Sequence, residues 1–159
     1  MRITLDTVNF DDLAHLRWWY EIRNSESVRN VSRSLKKITV DEHFIWWHES
    51  KVSKTRKLFF IRKHDREFQP QVVGIARLDH RKTWTEFSLA IVPEWRGQGF
   101  GRTAIDQLKA ITTQLKWPLP GAVINGKNAA SLVSFIKTGF IVKKKGFLQV
   151  TLPNPRRRS

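Results

Sequence analysis

The sequence predicts an α/β fold on one mixed sheet, and three observations carry that prediction. Short β-rich runs alternate with stretches of helical periodicity. Thr39-Val-Asp-Glu42 is a capping box, a Thr followed three residues later by Glu. A glycine-rich turn, Arg96-Gly-Gln-Gly-Phe-Gly101, stands between a strand and a helix. The resulting order is β-α-α-β-β-β-α-β-α-β-β, with about four helices against the sheet.

Ile3 to Val8 alternates and reads as the first strand. Asp11–Ile22 follows, with Leu13, Leu16 and Trp19 or Tyr20 at helical spacing. The capping box opens a second helix to about Val52, whose Phe44, Trp46 and Trp47 give an aromatic face suited to core packing. Lys57–His64, Gln71–Asp79 and Thr85–Val92 are β-rich runs split by polar turns. Gly99–Leu115 is a third helix with Ala104, Ile105, Leu108, Ile111 and Thr112 inward, broken by Trp117-Pro-Leu-Pro-Gly121. Ala122–Ile124 reads as a buried strand and Asn128–Thr138 as a fourth helix ending at Gly139. Phe140–Lys144 and Phe147–Leu152 close the sheet. Residues 1–152 are expected to form one domain and residues 153–159 a basic tail.

The 159 residues carry 29 Lys+Arg against 14 Asp+Glu, a formal charge of +15. A field of that sign favours anionic partners such as nucleotides, nucleic acid or acidic membrane. Seven Trp, ten Phe and one Tyr supply a core and exclude a disordered basic tail as the whole story. With no Cys, a disulfide, a thiolate metal site and a Cys acyl-enzyme are excluded. No apolar run nears the roughly 20 residues of a bilayer span. No secretory leader pattern is expected, which fits a cytoplasmic protein. Asp106 is the last acidic residue, and ten Lys/Arg follow it, including Lys143–Lys145 and Arg156–Arg158. Such runs serve solubility, or alternatively phosphate binding.

The glycine-rich turn is the most informative segment. Gly97, Gly99 and Gly101 allow tight turning and close approach of a ligand to the backbone. The amides opening the next helix face outward, and the helix dipole favours negative charge there. Arg96 and Arg102 add cationic arms, and together these make a pyrophosphate site. The Walker pattern does not fit, since the turn ends in Gly-Arg-Thr. The dinucleotide fingerprint does not fit either, because the spacing is G-x-G-x-G.

The segment Arg96-Gly97-Gln98-Gly99-Phe100-Gly101 resembles the signature of GNAT-superfamily N-acetyltransferases. Asn128-Ala-Ala-Ser131-Leu-Val-Ser-Phe135-Ile-Lys-Thr-Gly139-Phe140 is similar to that family's second signature, and the likeness spans Thr4 to Leu152. The resemblance implies a GNAT-like, mostly antiparallel sheet with a V-shaped cofactor cleft, opened by a bulge in the strand ending at Val92. It implies acetyl-CoA as co-substrate, with the amides of Arg96, Gly97, Gln98, Gly99, Phe100, Gly101 and Arg102 on the pyrophosphate. Ile91 and Val92 would pair with the pantetheine arm as an added strand. Asn128, Ser131 and Phe135 would flank the same arm, although Asn128 also reads as a helix N-cap.

Acetyl transfer needs a neutral amine, a stabilised oxyanion and a protonated leaving thiol. An amide near Ile91 or Val92 could serve the oxyanion. Without Cys, direct attack in a ternary complex is favoured. Alternation places Glu86 on one face with Ser88 and Ala90, so Glu86 is the candidate base or else a solvated strand-start carboxylate. Asp79, His80 and His43 are weaker candidates. Many family members carry a Tyr as general acid where Phe135 stands here, so no general acid is evident, and proximity would supply much of the rate. No metal is called for.

Arg23, Asn24, His43, Trp46 and Arg77 resemble the branch acting on nucleotide-linked amino sugars. Phosphates would suit Arg23, Arg29 and Arg77, and a base would stack on Trp46 or Trp47; the alternative is salt bridges and core packing. A small anionic amine is therefore the expected partner. A protein N-terminus or lysine is the second acceptor class, and a non-catalytic, RNA-associated acetyl-CoA-binding module is the reading from another class. A homodimer is compatible with all three.

Overall fold

A computed structural model describes residues 2–32, 34–144 and 148–153. The Arg156–Arg158 tail, Lys145 and the start of the strand expected at Phe147 lie outside the described residues. The elements are β1 (Arg2–Thr7), α1 (Leu13–Asn24), α2 (Glu26–Arg29), α3 (Val40–Val52), β2 (Arg56–His64), β3 (Gln71–His80) and β4 (Thr85–Ile91), followed by a 3-10 turn at Pro93–Trp95. Then come α4 (Phe100–Gln114), β5 (Pro120–Ile124), α5 (Ala129–Lys137), β6 (Ile141–Lys144) and β7 (Leu148–Thr151). The expected order holds, with the four-residue α2 added.

The strands form one seven-stranded sheet in the order β1-β2-β3-β4-β5-β7-β6. Every neighbouring pair is antiparallel except β4–β5. Alternation along β2 sends Leu58 and Phe60 to one face, where they meet Trp19 of α1 and Trp47 of α3. Phe59 and Ile61 go to the other face, with Ala104, Ile105 and Leu108 of α4. The sheet is thus covered on both faces, α1 and α3 on one and α4 and α5 on the other.

The capping box forms as predicted: Thr39 Oγ1 accepts from the Glu42 amide at 3.1 Å, and Glu42 Oε2 from the Thr39 amide at 3.0 Å. The buried face of α3 departs from the aromatic stripe. His43, Trp47 and Ser50 are buried while Phe44 is half exposed. The polar pair is tolerated because each has a partner: His43 Nε2 lies 2.9 Å from the Leu16 carbonyl, and Ser50 Oγ donates to the Trp46 carbonyl. Leu13, expected on the inner side of α1, is exposed.

β4 and β5 pair only at Thr85–Pro120 and Glu86–Gly121. That end is pinned, since Thr85 N donates to the Leu119 carbonyl at 2.8 Å and Thr85 Oγ1 to that of Pro118 at 2.7 Å. Gly121 makes the close approach possible: a Cβ there would stand 2.9 Å from both the Trp84 ring and the Val150 carbonyl. Beyond Glu86 the strands part and a V opens. The bulge expected in β4 is absent from its ladder with β3, which runs without a shift from Gly74–Ile91 to His80–Thr85. A register shift lies one strand further out, at Ile61/Arg62 between β2 and β3, and another at Val142/Lys144 between β6 and β7.

Candidate active site

At the open end of the V, Val92 N donates to the Val73 carbonyl and the 3-10 turn leads into the glycines. Gly97 and Gly99 have φ of +74° and +85°, values that other residues adopt at a cost. A Cβ at either would meet nothing within 4 Å, so the outer side of the turn is open. Gly99 caps α4 with no side chain on the first-turn amides, which leaves those donors and the helix dipole directed outward.

The arginines of the turn divide. Arg102 is exposed beside the amides. Arg96 folds back, its Nε donating to the Ile91 carbonyl at 2.9 Å and its Nη2 to Ser27 Oγ at 3.3 Å. Gln98 Nε2 reaches the Glu94 carbonyl at 3.5 Å. The Phe100 ring is buried near Trp95, so Phe100 offers the outside only its amide.

The other arm of the V carries α5. Asn128 Oδ1 accepts from the Ser131 amide at 3.2 Å, so this side chain caps the helix. Phe135 is 2% exposed and packs edge-on against Phe140 in the core. Ser134, one residue before it, comes close to Gly101: a Cβ on Gly101 would stand 3.6 Å from Ser134 Oγ and 3.9 Å from Ile91 Cγ1. The turn, the end of β4 and α5 therefore converge at Gly101. Between the arms runs the segment around α2. Ser27 bonds to Arg96 after β4, and Asn125 Nδ2, after β5, donates to the Ser32 carbonyl at 3.0 Å. This strap was not anticipated, and a four-residue helix with one serine leaves no periodic signal.

On the α1/α3 side of β3 and β4 lies a dense charge cluster. Asp79 is buried; Arg56 Nε donates to its Oδ1 at 2.9 Å, and Arg77 Nε lies 2.7 Å from its Oδ2. The second contact is an ion pair without hydrogen-bond alignment, so Arg77 Nε and Asp79 Oδ2 each lack a hydrogen bond. Glu86 is 4% exposed at the closed end of the V, and its Oε1 accepts from Arg81 Nε at 3.0 Å and Nη2 at 2.7 Å. This bond holds the Arg81 guanidinium above its ordinary proton affinity. Arg77 is pushed down, by burial first, with Asp79 pulling the other way. Its Nη2 stands 3.5 Å from Ser88 Oγ on β4.

Of the acceptor residues named from sequence, the structure brings Arg23, Arg77 and Trp46 together. The Trp46 ring lies under the Arg56 and Arg77 guanidiniums, at 5.2 and 5.9 Å. Burial lowers the proton affinity of Arg23, and Arg77 and Arg29 lower it further. Asn24 is otherwise engaged: its Nδ2 donates to the Ile38 carbonyl at 2.9 Å and its Oδ1 accepts from the Ile38 amide at 2.8 Å. His43 is 2% exposed in the α1–α3 core, and burial pushes its imidazole down, so the neutral ring donates from Nε2 to Leu16. Asn24 and His43 thus hold the fold and do not line an opening. Among the described residues no group of acidic and His side chains could hold a metal.

A strand that leaves its neighbour beside a glycine turn with open helix amides suits a thioester donor with a pyrophosphate. The family model described as "Acetyltransferase (GNAT) domain" matches residues 2–141, and the chain belongs to that family of acetyl-CoA-dependent acetyltransferases. Among solved structures, a domain from Methanocaldococcus jannaschii is similar at TM-score 0.82 and 19% identity, over 94% of this chain and 96% of that one. Spermidine N-acetyltransferase from Vibrio cholerae, in complex with CoA and spermine, is similar at TM-score 0.76 and 18% identity, over 94% and 92%. A proposed acetyltransferase, yncA from Salmonella typhimurium with its cofactor acetyl-CoA, gives TM-score 0.71 and 19% identity over 95% and 91%. No curated protein sequence matches. No helix of the described residues is long and apolar enough to cross a membrane.

Proposed function

We propose that the chain acetylates the primary amine of a small anionic acceptor, a nucleotide-linked amino sugar being one such compound, by direct attack within a ternary complex. The observation that supports it is the parting of β4 from β5 after Glu86, next to the open amides of Gly97–Arg102. Acetyl-CoA supplies an activated acyl carbonyl. The residues fit it: the first-turn amides of α4 and Arg102 suit the pyrophosphate, and the unpaired side of β4 from Phe87 to Ile91 suits the amide-bearing arm. Ser134 and Asn128 flank that arm from α5.

The amine approaches from the α1/α3 side, where Ser88 and Ala90 face it. A neutral amine nitrogen forms the C–N bond to the acyl carbon, the C–S bond breaks, the amine proton passes to water, and water protonates the thiolate. Arg23, Arg29 and Arg77 disfavour an ammonium ion beside them and so favour the neutral nucleophile. In this scheme Glu86 anchors Arg81 and needs no role as base, and proximity supplies much of the rate. A cytoplasmic setting with acetyl-CoA at hand suits the activity.

Thiol release from acetyl-CoA, followed across amino-sugar nucleotides, peptides with free N-termini and spermidine, tests the proposal. Release with an anionic small amine is expected. Tight acetyl-CoA binding with no release to any amine would instead favour a non-catalytic binding module, and release to peptides alone would favour a protein acetyltransferase.

A further inference from the structure

We infer that Arg23 and Arg77 form a subsite for a carboxylate or phosphate carried by the acceptor; the inference rests on the acetyl-transfer scheme above. Arg23 Nη1 is buried without a hydrogen-bond partner. Buried guanidinium donors are normally satisfied, and an unpartnered one costs stability. The neighbours make matters worse, because the groups acting on Arg23 are the cations Arg77 and Arg29. Arg29 is itself held by carbonyls, donating from Nε to Asn24 O at 3.0 Å and from Nη1 to Leu35 O at 3.4 Å, with no carboxylate.

The acidic groups of the cluster are already engaged. Asp79 is shared by Arg56 and Arg77, and Glu86 binds Arg81. Among the described residues no carboxylate lies within ion-pair distance of Arg23. A divalent or monovalent anion would satisfy Arg23 and offset the mutual repulsion of three guanidiniums.

The position is also right for an acceptor. Arg77 is the ladder partner of Ser88, two residues past the last β4–β5 pair, so the subsite abuts the stretch of β4 where the V opens. A polycation has no place there, since every free donor of the subsite repels it.

The test uses paired acceptors that differ by one anionic group: glucosamine 6-phosphate against glucosamine, O-phosphoethanolamine against ethanolamine, and β-alanine against propylamine, with spermidine as the cationic control. The anionic member of a pair is expected to win by about tenfold or more in kcat/KM, the size of a charged hydrogen bond. The phosphate and carboxylate pairs distinguish the two chemistries. Arg23→Gln should erase the preference while leaving acetyl-CoA affinity unchanged. In anion-free buffer it should also raise Tm, because it removes a buried guanidinium nitrogen that has no hydrogen-bond partner. Equal rates within the pairs, spermidine as the best acceptor, a preference retained in Arg23→Gln or a fall in its Tm would overturn the subsite. If acetyl-CoA binds and no amine releases thiol, the transfer scheme fails by itself. Inorganic phosphate added to CoA-saturated protein then decides: a rise in Tm for wild type and not for Arg23→Gln supports the subsite, and equal responses overturn it.

Discussion

Gly101→Ala separates folding from cofactor binding in a single methyl group. Gly101 is the second residue of α4 and, unlike Gly97 and Gly99, has no positive φ. The new Cβ would sit 3.6 Å from Ser134 Oγ and 3.9 Å from Ile91 Cγ1, both ordinary contacts. Ala is favoured over Gly in a helix by about 0.5–1 kcal/mol. At this chain length that is a Tm rise of roughly 1–3 °C. The methyl nevertheless fills the point where the turn, β4 and α5 meet. Overpacking of that kind costs about 1–3 kcal/mol, or roughly 5- to 150-fold in Kd for acetyl-CoA. Gly99→Ala is the contrast: with φ at +85° it should lose about 1–2 kcal/mol of stability through backbone strain alone. Differential scanning fluorimetry and calorimetric titration with acetyl-CoA read both quantities. Wild-type affinity in a fully folded Gly101→Ala would refute the placement of the cofactor between Gly101 and β4.

Three further outcomes follow from the geometry. Thr39→Ala removes one half of the capping box and should cost about 1 kcal/mol, seen as a Tm drop of a few degrees, with activity unchanged. His43 has its proton affinity lowered by burial, so the unfolded chain binds the proton more readily. Stability is complete above an unfolded His value of about 6.5 and falls as the pH drops from there toward the lower folded value. His43→Gln should flatten that acid limb in denaturation curves taken across the window, and an unchanged slope would contradict the assignment. Glu86→Gln should cost about 1.5–3 kcal/mol by weakening the bonds to Arg81, with kcat retained. A loss of about 100-fold or more in kcat at normal Tm would make Glu86 the base after all.

Much of the architecture was legible in the sequence because it is written in local chemistry. The capping box located α3 to the residue, and the glycine turn with the strand before it located the opening of the sheet. What escaped depends on partners distant in the chain. His43 and Ser50 count as polar in any periodic pattern, yet both are buried, because the Leu16 and Trp46 carbonyls satisfy them. Asn24 looked like a recognition residue, and the Ile38 backbone fourteen residues away consumes it. The strap between Arg96 and Asn125 joins serines of a four-residue helix region to both arms of the V, which no run of residues announces. The V opens without a bulge in β4, because Pro120 and Gly121 alone pair with Thr85 and Glu86. The excess positive charge was visible from composition, whereas the burial of Arg23 Nη1 among other cations required the fold.

The most direct test of the account is mass analysis of both protein and acceptor after incubation with acetyl-CoA and an anionic amine such as glucosamine 6-phosphate. Direct transfer predicts one acetyl group on the amine nitrogen, free CoA in equal amount and an unmodified protein. An acetylated protein that forms before the product, or CoA released with no acetylated amine, would contradict it.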